Sequence, residues 1–219
     1  MIPVYMIAMT DHPISQMYVR EVMPSWEDHG ITPKIHEATT PKDLAYRNQL
    51  TFDIKRTGRE KRPFTSTEKA VWYSHFDLWC KCVIQGPFII VEHDSKLMKP
   101  LPDMSKEGYK FLSYSSDIYC GIAVGSGYYL TSRVAERLVA RAVCSKINVN
   151  TDGFIALTLN MAAQKKMKDY FYIDQICFDG LNTIDHRHRP ALRDPQHPER
   201  NFIGLNYEDI DIPSIHRKA

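Results

Sequence analysis

Between Thr65 and Leu97 the apolar rhythm of the chain changes, and the change defines the elements. Val71, His75, Leu78, Trp79 and Cys82 fall on one stripe at helical spacing. Thr65 and Glu68 stand at capping-box spacing ahead of it, and Gly86-Pro87 ends it. Asp77 and Lys81, on another face, are spaced as an i,i+4 ion pair. Phe88-Ile89-Ile90-Val91 is then a short continuous apolar run, the pattern of a strand buried on both faces. Polarity switches at once into Glu92-His93-Asp94.

The flanking segments give a similar rhythm. Pro3 to Met9 reads as a first buried strand, ended by Thr10 and Asp11. Ile14 to His29 suits a helix with Met17, Val19, Val22, Met23 and Trp26 as its apolar set. Pro24 interrupts that pattern and leaves room for two shorter pieces. Gly30 ends it, and Ile31 to Ala38 supplies a second strand, so the chain opens with a βαβ unit. Pro41 to Arg62 is weakly patterned. Pro100 and Pro102 mark a connection, Tyr109 to Tyr114 is strand-like, and Cys120 to Val124 suits another strand. Gly125-Ser126-Gly127 is a turn, and Tyr128-Tyr129-Leu130 leads into a helix capped near Thr131 or Ser132. Leu130, Val134, Leu138 and Ala142 form its core stripe. A helix opens at Asp152 with Ile155, Leu159 and Ala162, and Tyr170 to Phe178 is a last strand. Beyond it the chain is polar and loop-rich, without internal repeats.

Composition changes this picture little. The 219 residues suffice for one sizeable core; 43% are hydrophobic and 25% charged, as in ordinary globular proteins. A net charge of +2 selects neither nucleic acid nor membrane. Five cysteines without a C-x-x-C pair suggest neither a zinc site nor a disulfide framework, so reduced thiols in a cytoplasmic setting are expected. No basic stretch precedes the first apolar run, so no secretory signal is expected. No apolar run approaches the about 20 residues of a membrane span.

Candidate chemistry collects where strands end. Ligands of open α/β sheets bind beyond the carboxyl ends of the strands. If the chain stays extended, Glu92 and Asp94 point the same way, and two hard oxygen donors suit Mg²⁺ or Mn²⁺ beside a diphosphate. A solvated turn whose acids cap the next element is the simpler alternative. Thr10 and Asp11 read first as a helix cap and second as a site for a base or ribose. Lys55, Arg56, Arg59, Lys61 and Arg62 surround Gly58 in a basic loop; it is either solvated or an anion-binding flap over phosphates. Asp152 at a helix start is either a cap or a carboxylate kept ionised by the helix dipole, as a general base requires. His75, on an apolar stripe, reads first as a core histidine and second as a site residue. His186 and His188 alternate, so an extended chain sets both on one side. The G-S-G piece lacks the third glycine and following acid of a dinucleotide fingerprint.

Glu68, Ser74-His75, Trp79, the apolar strand 88–91 and Glu92-His93-Asp94 together resemble glycosyltransferase family 25, the lipooligosaccharide and collagen galactosyltransferases. Gly121 to Val139, Val149 to Asp152, Arg20 and Glu37-Ala38 resemble outer parts of that family's pattern. His93 stands where the family's metal motif has its middle acid, and Lys69 where the family has a small residue. The resemblance implies a GT-A fold: a single α/β, Rossmann-like domain over residues 1–180, with a mixed central sheet, helices on both faces and a polar extension over 181–219. It implies inverting transfer of a sugar from a nucleotide-sugar, a UDP-sugar first of all, with Mn²⁺ or Mg²⁺. Glu92 and Asp94 would hold the metal, completed by His186 and His188 from a late loop. Thr10, Asp11, Arg20, Ala38, His75 and His93 would bind the donor, and Asp152 would be the base. The acceptor would be a glycan hydroxyl or a hydroxylated DNA base. The alternative is a non-catalytic nucleotide- or glycan-binding module on the same fold.

Overall fold

A computed structural model describes residues 2–54, 62–101, 103–104, 108–112, 127–159 and 173–175. Strand β1 (Val4–Ala8) leads through helix α1 (Pro13–Glu27) to β2 (Lys34–Glu37). A 3₁₀ turn (Pro41–Tyr46) and the short β3 (Thr51–Phe52) precede α2 (Ser66–Gln85) and β4 (Phe88–Glu92). There follow β5 (Ser95–Leu97), β6 (Tyr109–Phe111), β7 (Gly127–Leu130), α3 (Ser132–Cys144), β8 (Lys146–Ile147), α4 (Thr151–Leu159) and β9 (Ile173–Gln175).

The central sheet has five strands in the order β2-β1-β4-β7-β6. β1 runs parallel to β2 and β4, whereas β7 runs antiparallel to β4 and β6, so the sheet is mixed. Strand alternation divides the core in two. Tyr5, Ile7, Phe88, Ile90, Tyr128 and Leu130 face α2, α3 and α4. Val4, Met6, Ile89, Val91 and Tyr129 face α1, where Tyr18, Val22 and Trp26 cover them. Helices therefore cover both faces, and the continuous apolar run of β4 is buried on both, as its pattern predicts. This architecture is compatible with a Rossmann-like fold.

The sequence cues at α2 hold in detail. Thr65 Oγ1 accepts from the Glu68 N–H, and Glu68 accepts from the Thr65 N–H in return. Gly86 ends the helix at φ +97°, a left-handed value that suits glycine. Two expectations need correction. Pro24 does not split α1: it lies in the last turn, where Trp26 is fully buried and its Nε1 donates to Ser95 O at 2.8 Å. Tertiary packing thus outweighs the missing donor. Asp77 pairs with Arg47 rather than with Lys81, whose ammonium sits 4.2 Å from the Tyr5 ring centroid. A forked guanidinium that reaches both carboxylate oxygens outcompetes a point charge on the same helix.

The proposed strand Cys120–Val124, the basic positions Lys55, Arg56, Arg59 and Lys61, and the tail with His186 and His188 lie outside the described residues. Among the described residues no helix is long and apolar enough to cross a membrane.

Candidate functional site

The two crossovers that leave the β1 neighbourhood pass over opposite faces. α1 carries the chain to β2 on one side, and α2 carries it to β4 on the other. At such a switch point the loops beyond the carboxyl ends diverge and leave a crevice. A cleft of about 280 Å³ lies there. Ile7, Met9, Asp11 and His12 line it after β1, residues 38–42 after β2, and Glu92 and His93 after β4. Thr67, Ala70, Val71, Ser74 and His75 close it from α2. Those five recur three or four residues apart, so one face of the helix forms the wall.

The wall opposite α2 is fastened to it. The Thr39 N–H donates to Ser74 Oγ at 2.9 Å, and Ser74 Oγ in turn donates to Ala70 O. Arg47 donates to both oxygens of Asp77, at 2.9 and 2.7 Å, and its guanidinium lies over the Tyr73 ring. Thr40 and Asp43 form a capping box that sets the 3₁₀ turn, and its hydrogen bonds hold the Asp43 carboxyl below its ordinary range.

The expected donor residues separate into two groups. Asp11, Ala38, His75 and His93 all line the cleft, with Glu92 beside them. Thr10 and Arg20 instead line a smaller hollow of about 200 Å³ with Gln16 and Val19 of α1. Thr10 is held there by Glu37, which accepts from its N–H at 3.0 Å and from its hydroxyl. Gln16 also donates to Thr10 O. These bonds tie the end of β1 to the end of β2.

The E-H-D run does not stay extended. β4 ends at Glu92, and His93 and Asp94 turn the chain into β5. The alternation that sets Glu92 and Asp94 on one side is therefore broken. Glu92 follows Ile90 toward the α2 face, where its Oε1 lies 3.5 Å from His75 Nε2. His93 is stacked on Tyr18 of α1, ring centroids 5.6 Å apart. Asp94 is buried in the turn, 1% exposed, and is not part of the cleft lining. Among the described residues no group of three or more His, Cys, Asp or Glu side chains is arranged to hold a metal. Two of the four expected ligands, His186 and His188, lie outside the described residues.

No protein-family model and no curated protein matches the chain. The site has to be read from its own geometry.

His75 is both core and site. It is 1% exposed, yet it lines the cleft, and its Nδ1 lies 2.8 Å from Tyr128 Oη. Trp79 Nε1 donates to the same Tyr128 oxygen at 2.9 Å. Burial holds the Tyr128 phenol well above its ordinary range, with the carboxylates of Asp152 and Glu92 adding to the effect. Asp152 stands in the first turn of α4, close enough to Tyr109 and Tyr128 to raise both phenols, and outside the cleft lining. It is not the helix cap: Asn150 Oδ1 accepts from the Gly153 N–H at 3.1 Å and fills that role.

Arg62, the one described member of the basic loop set, donates to both Glu68 oxygens at 2.7 and 2.9 Å. Sequence reasoning missed Tyr128, Thr39 and Lys42. Tyr128 had a usable signal, since Tyr128-Tyr129-Leu130 follows a glycine and is rich in strand formers. Cys82, on the same helix as His75, is no nucleophile: burial pushes its thiol up to about 12.

Proposed function

We propose that this cleft binds a nucleotide-sugar and that the protein is a glycosyltransferase of GT-A type, moving the sugar to an acceptor hydroxyl. One observation carries the reading. The switch-point crevice gathers Ala38, His75, Glu92 and His93, which the family resemblance implicates, and Asp11, which its place at a strand end implicates, from four separate segments of chain. The floor from Ile7, Met9, Ala38 and Val71 suits a base or sugar face. Thr39, Thr40, Asp11 and Glu92 offer polar atoms around it. Lys42 is a cation on the rim for the diphosphate. A UDP-sugar is the donor to try first. The acceptor is a glycan or a hydroxylated DNA base.

A divalent metal, when bound, would stabilise charge on the leaving diphosphate. Glu92 is the acid of the E-H-D run that faces the cleft, Asp11 is a second carboxylate on its lining, and His186 and His188 are the ligands expected from beyond the described residues. An inverting transfer also needs a carboxylate to take the acceptor's proton. Two compete for that role. Asp152 stands in the first turn of α4, where a helix dipole favours a carboxylate, and Glu92 lies on the cleft itself. Loss of a base typically costs about 10²–10⁴ in rate while binding persists. Incubation with a panel of UDP-sugars and acceptors, followed by UDP release and product mass, tests the activity. Absence of UDP release across the panel, with nucleotide still bound, refutes transfer and leaves a binding module. Asp152→Asn tests the base by loss of turnover at unchanged donor affinity; if it keeps turnover, Glu92 is the base, read in Glu92→Gln as a fall in rate at saturating donor.

A further inference from the structure

Four side chains run in one line from the core to the cleft. Trp79 Nε1 donates to Tyr128 Oη, Tyr128 Oη meets His75 Nδ1 at 2.8 Å, and His75 Nε2 faces Glu92 Oε1 at 3.5 Å. Trp79 and Tyr128 are fully buried, and His75 nearly so. Counting donors fixes the protons. An indole N–H only donates, and a phenol carries one proton. With Trp79 donating into Tyr128, the Tyr128 proton goes to His75 Nδ1; the reverse leaves a buried hydroxyl proton without an acceptor. The neutral imidazole then keeps its proton on Nε2, the nitrogen that faces Glu92 and the cleft.

We propose that His75 Nε2–H and the Glu92 carboxylate form a subsite for one hydroxyl group of the sugar. The 3.5 Å between them exceeds the 2.7–3.2 Å of a direct N–H···O bond, so the pair does not close on itself. A ligand hydroxyl placed between them accepts from Nε2–H and donates to a carboxylate oxygen, which has lone pairs for more than one partner. A phosphate oxygen has no proton to give Glu92, and its charge is repelled there. Tyr128 and Trp79 act as positioning residues, because they hold the tautomer that makes Nε2 a donor. The sugar as source of the hydroxyl rests on the donor reading above; the donor–acceptor pair itself does not.

Long-range ¹H–¹⁵N spectra of the full chain test this, following His75 Nε2. The expected state is the Nε2–H tautomer. Free D-galactose or D-glucose, and UDP-galactose or UDP-glucose, are expected to shift Nε2, whereas UDP alone is not. Tyr128→Phe is expected to lose the tautomer preference. It should also weaken the better-bound UDP-sugar about tenfold, while UDP affinity stays within about twofold. Should Tyr128→Phe fail to fold, the tautomer and the sugar-induced Nε2 shift of the unaltered chain, read against UDP alone, carry the test. The Nδ1–H tautomer, or no Nε2 shift with any sugar, overturns the subsite even if UDP binds. A sugar-induced shift without any nucleotide binding upholds the subsite and removes the donor reading instead.

Discussion

The Arg47–Asp77 pair is expected to hold the loop wall of the cleft against α2, and its worth can be worked out. The guanidinium is bidentate, at 2.9 and 2.7 Å, and the two side chains are 29% and 26% exposed. Fully exposed ion pairs contribute about 0–1 kcal/mol. Hydrogen bonds to charged groups contribute about 1.5–3 kcal/mol. A pair roughly three-quarters buried falls between these limits, so Asp77→Ala is expected to cost about 1–2 kcal/mol. For a chain of this size that corresponds to about 2–8 °C in Tm. A double-mutant cycle with Arg47→Met separates the pair from the packing of each side chain, including Arg47 over Tyr73. A coupling of about 1 kcal/mol by urea denaturation is expected, falling only modestly between low and physiological salt. The Thr39 N–H, which donates to Ser74 Oγ of α2, should exchange faster in both single variants. Coupling below about 0.3 kcal/mol, or unchanged exchange at Thr39, refutes the clamp.

Three further outcomes are expected. Thr65→Ala removes the acceptor of the Glu68 N–H and should cost about 1 kcal/mol in denaturation while α2 keeps its length by amide exchange; an effect confined to noise contradicts the capping box. Asn150→Ala should destabilise by a similar amount, about 1 kcal/mol, whereas Asp152→Asn should leave Tm nearly unchanged; the reverse order makes Asp152 the cap. Burial, only partly offset by Asp77 and Glu37, holds His36 below its ordinary 6.5. The unfolded chain therefore binds that proton more readily, so the stability from neutral His36 is complete above about pH 6.5 and is lost as pH falls through the lower folded value. Its buried Nε2 has no hydrogen-bond partner among the described residues, so His36→Phe should flatten stability against pH from neutral to mildly acid. An unchanged slope shows that other groups carry it.

The parts legible in the sequence are those where local signals agree. Thr65, Glu68, Gly86 and the apolar spacing between them all specify one helix, and the fold obeys. The unbroken run Phe88–Val91 announces burial on both faces because no alternation marks a wet side. What was not legible depends on partners distant in sequence. Asp77 has Lys81 four residues away, but Arg47 reaches it from a turn that no periodicity marks. Thr10 reads as a ligand group at a strand end, yet Glu37, 27 residues on, already holds it. Asp94 shares a side with Glu92 only in an extended chain; the turn after Glu92 leads into β5, whose partner β9 lies far along the chain and is not revealed by a local pattern. Tyr128 matters because the antiparallel register sets it opposite Ile90, on the α2 face.

That register explains why core and site are hard to separate here. α2 presents Thr67, Ser74 and His75 to the cleft, while Trp72, Trp79 and Cys82, on the same helix, are buried in the core. Trp79 packs edge-on to Trp72 and stacks on Phe154 of α4, and its N–H fixes Tyr128. The rotation of α2 that aims His75 at Glu92 is therefore set by aromatic packing on the adjoining face of the helix. Shrinking Trp72 or Phe154 leaves a cavity that neighbouring side chains fill only in part. The helix is then free to roll, and a roll of one residue, about 100°, carries Ser74 and His75 off the cleft wall. Polar truncations at the cleft itself do not have that freedom, because the core still dictates the roll. Core substitutions should thus lower stability and ligand affinity together, and substitutions at Glu92 or Asp11 should lower affinity alone. The contrast follows from one helix serving two purposes on neighbouring faces.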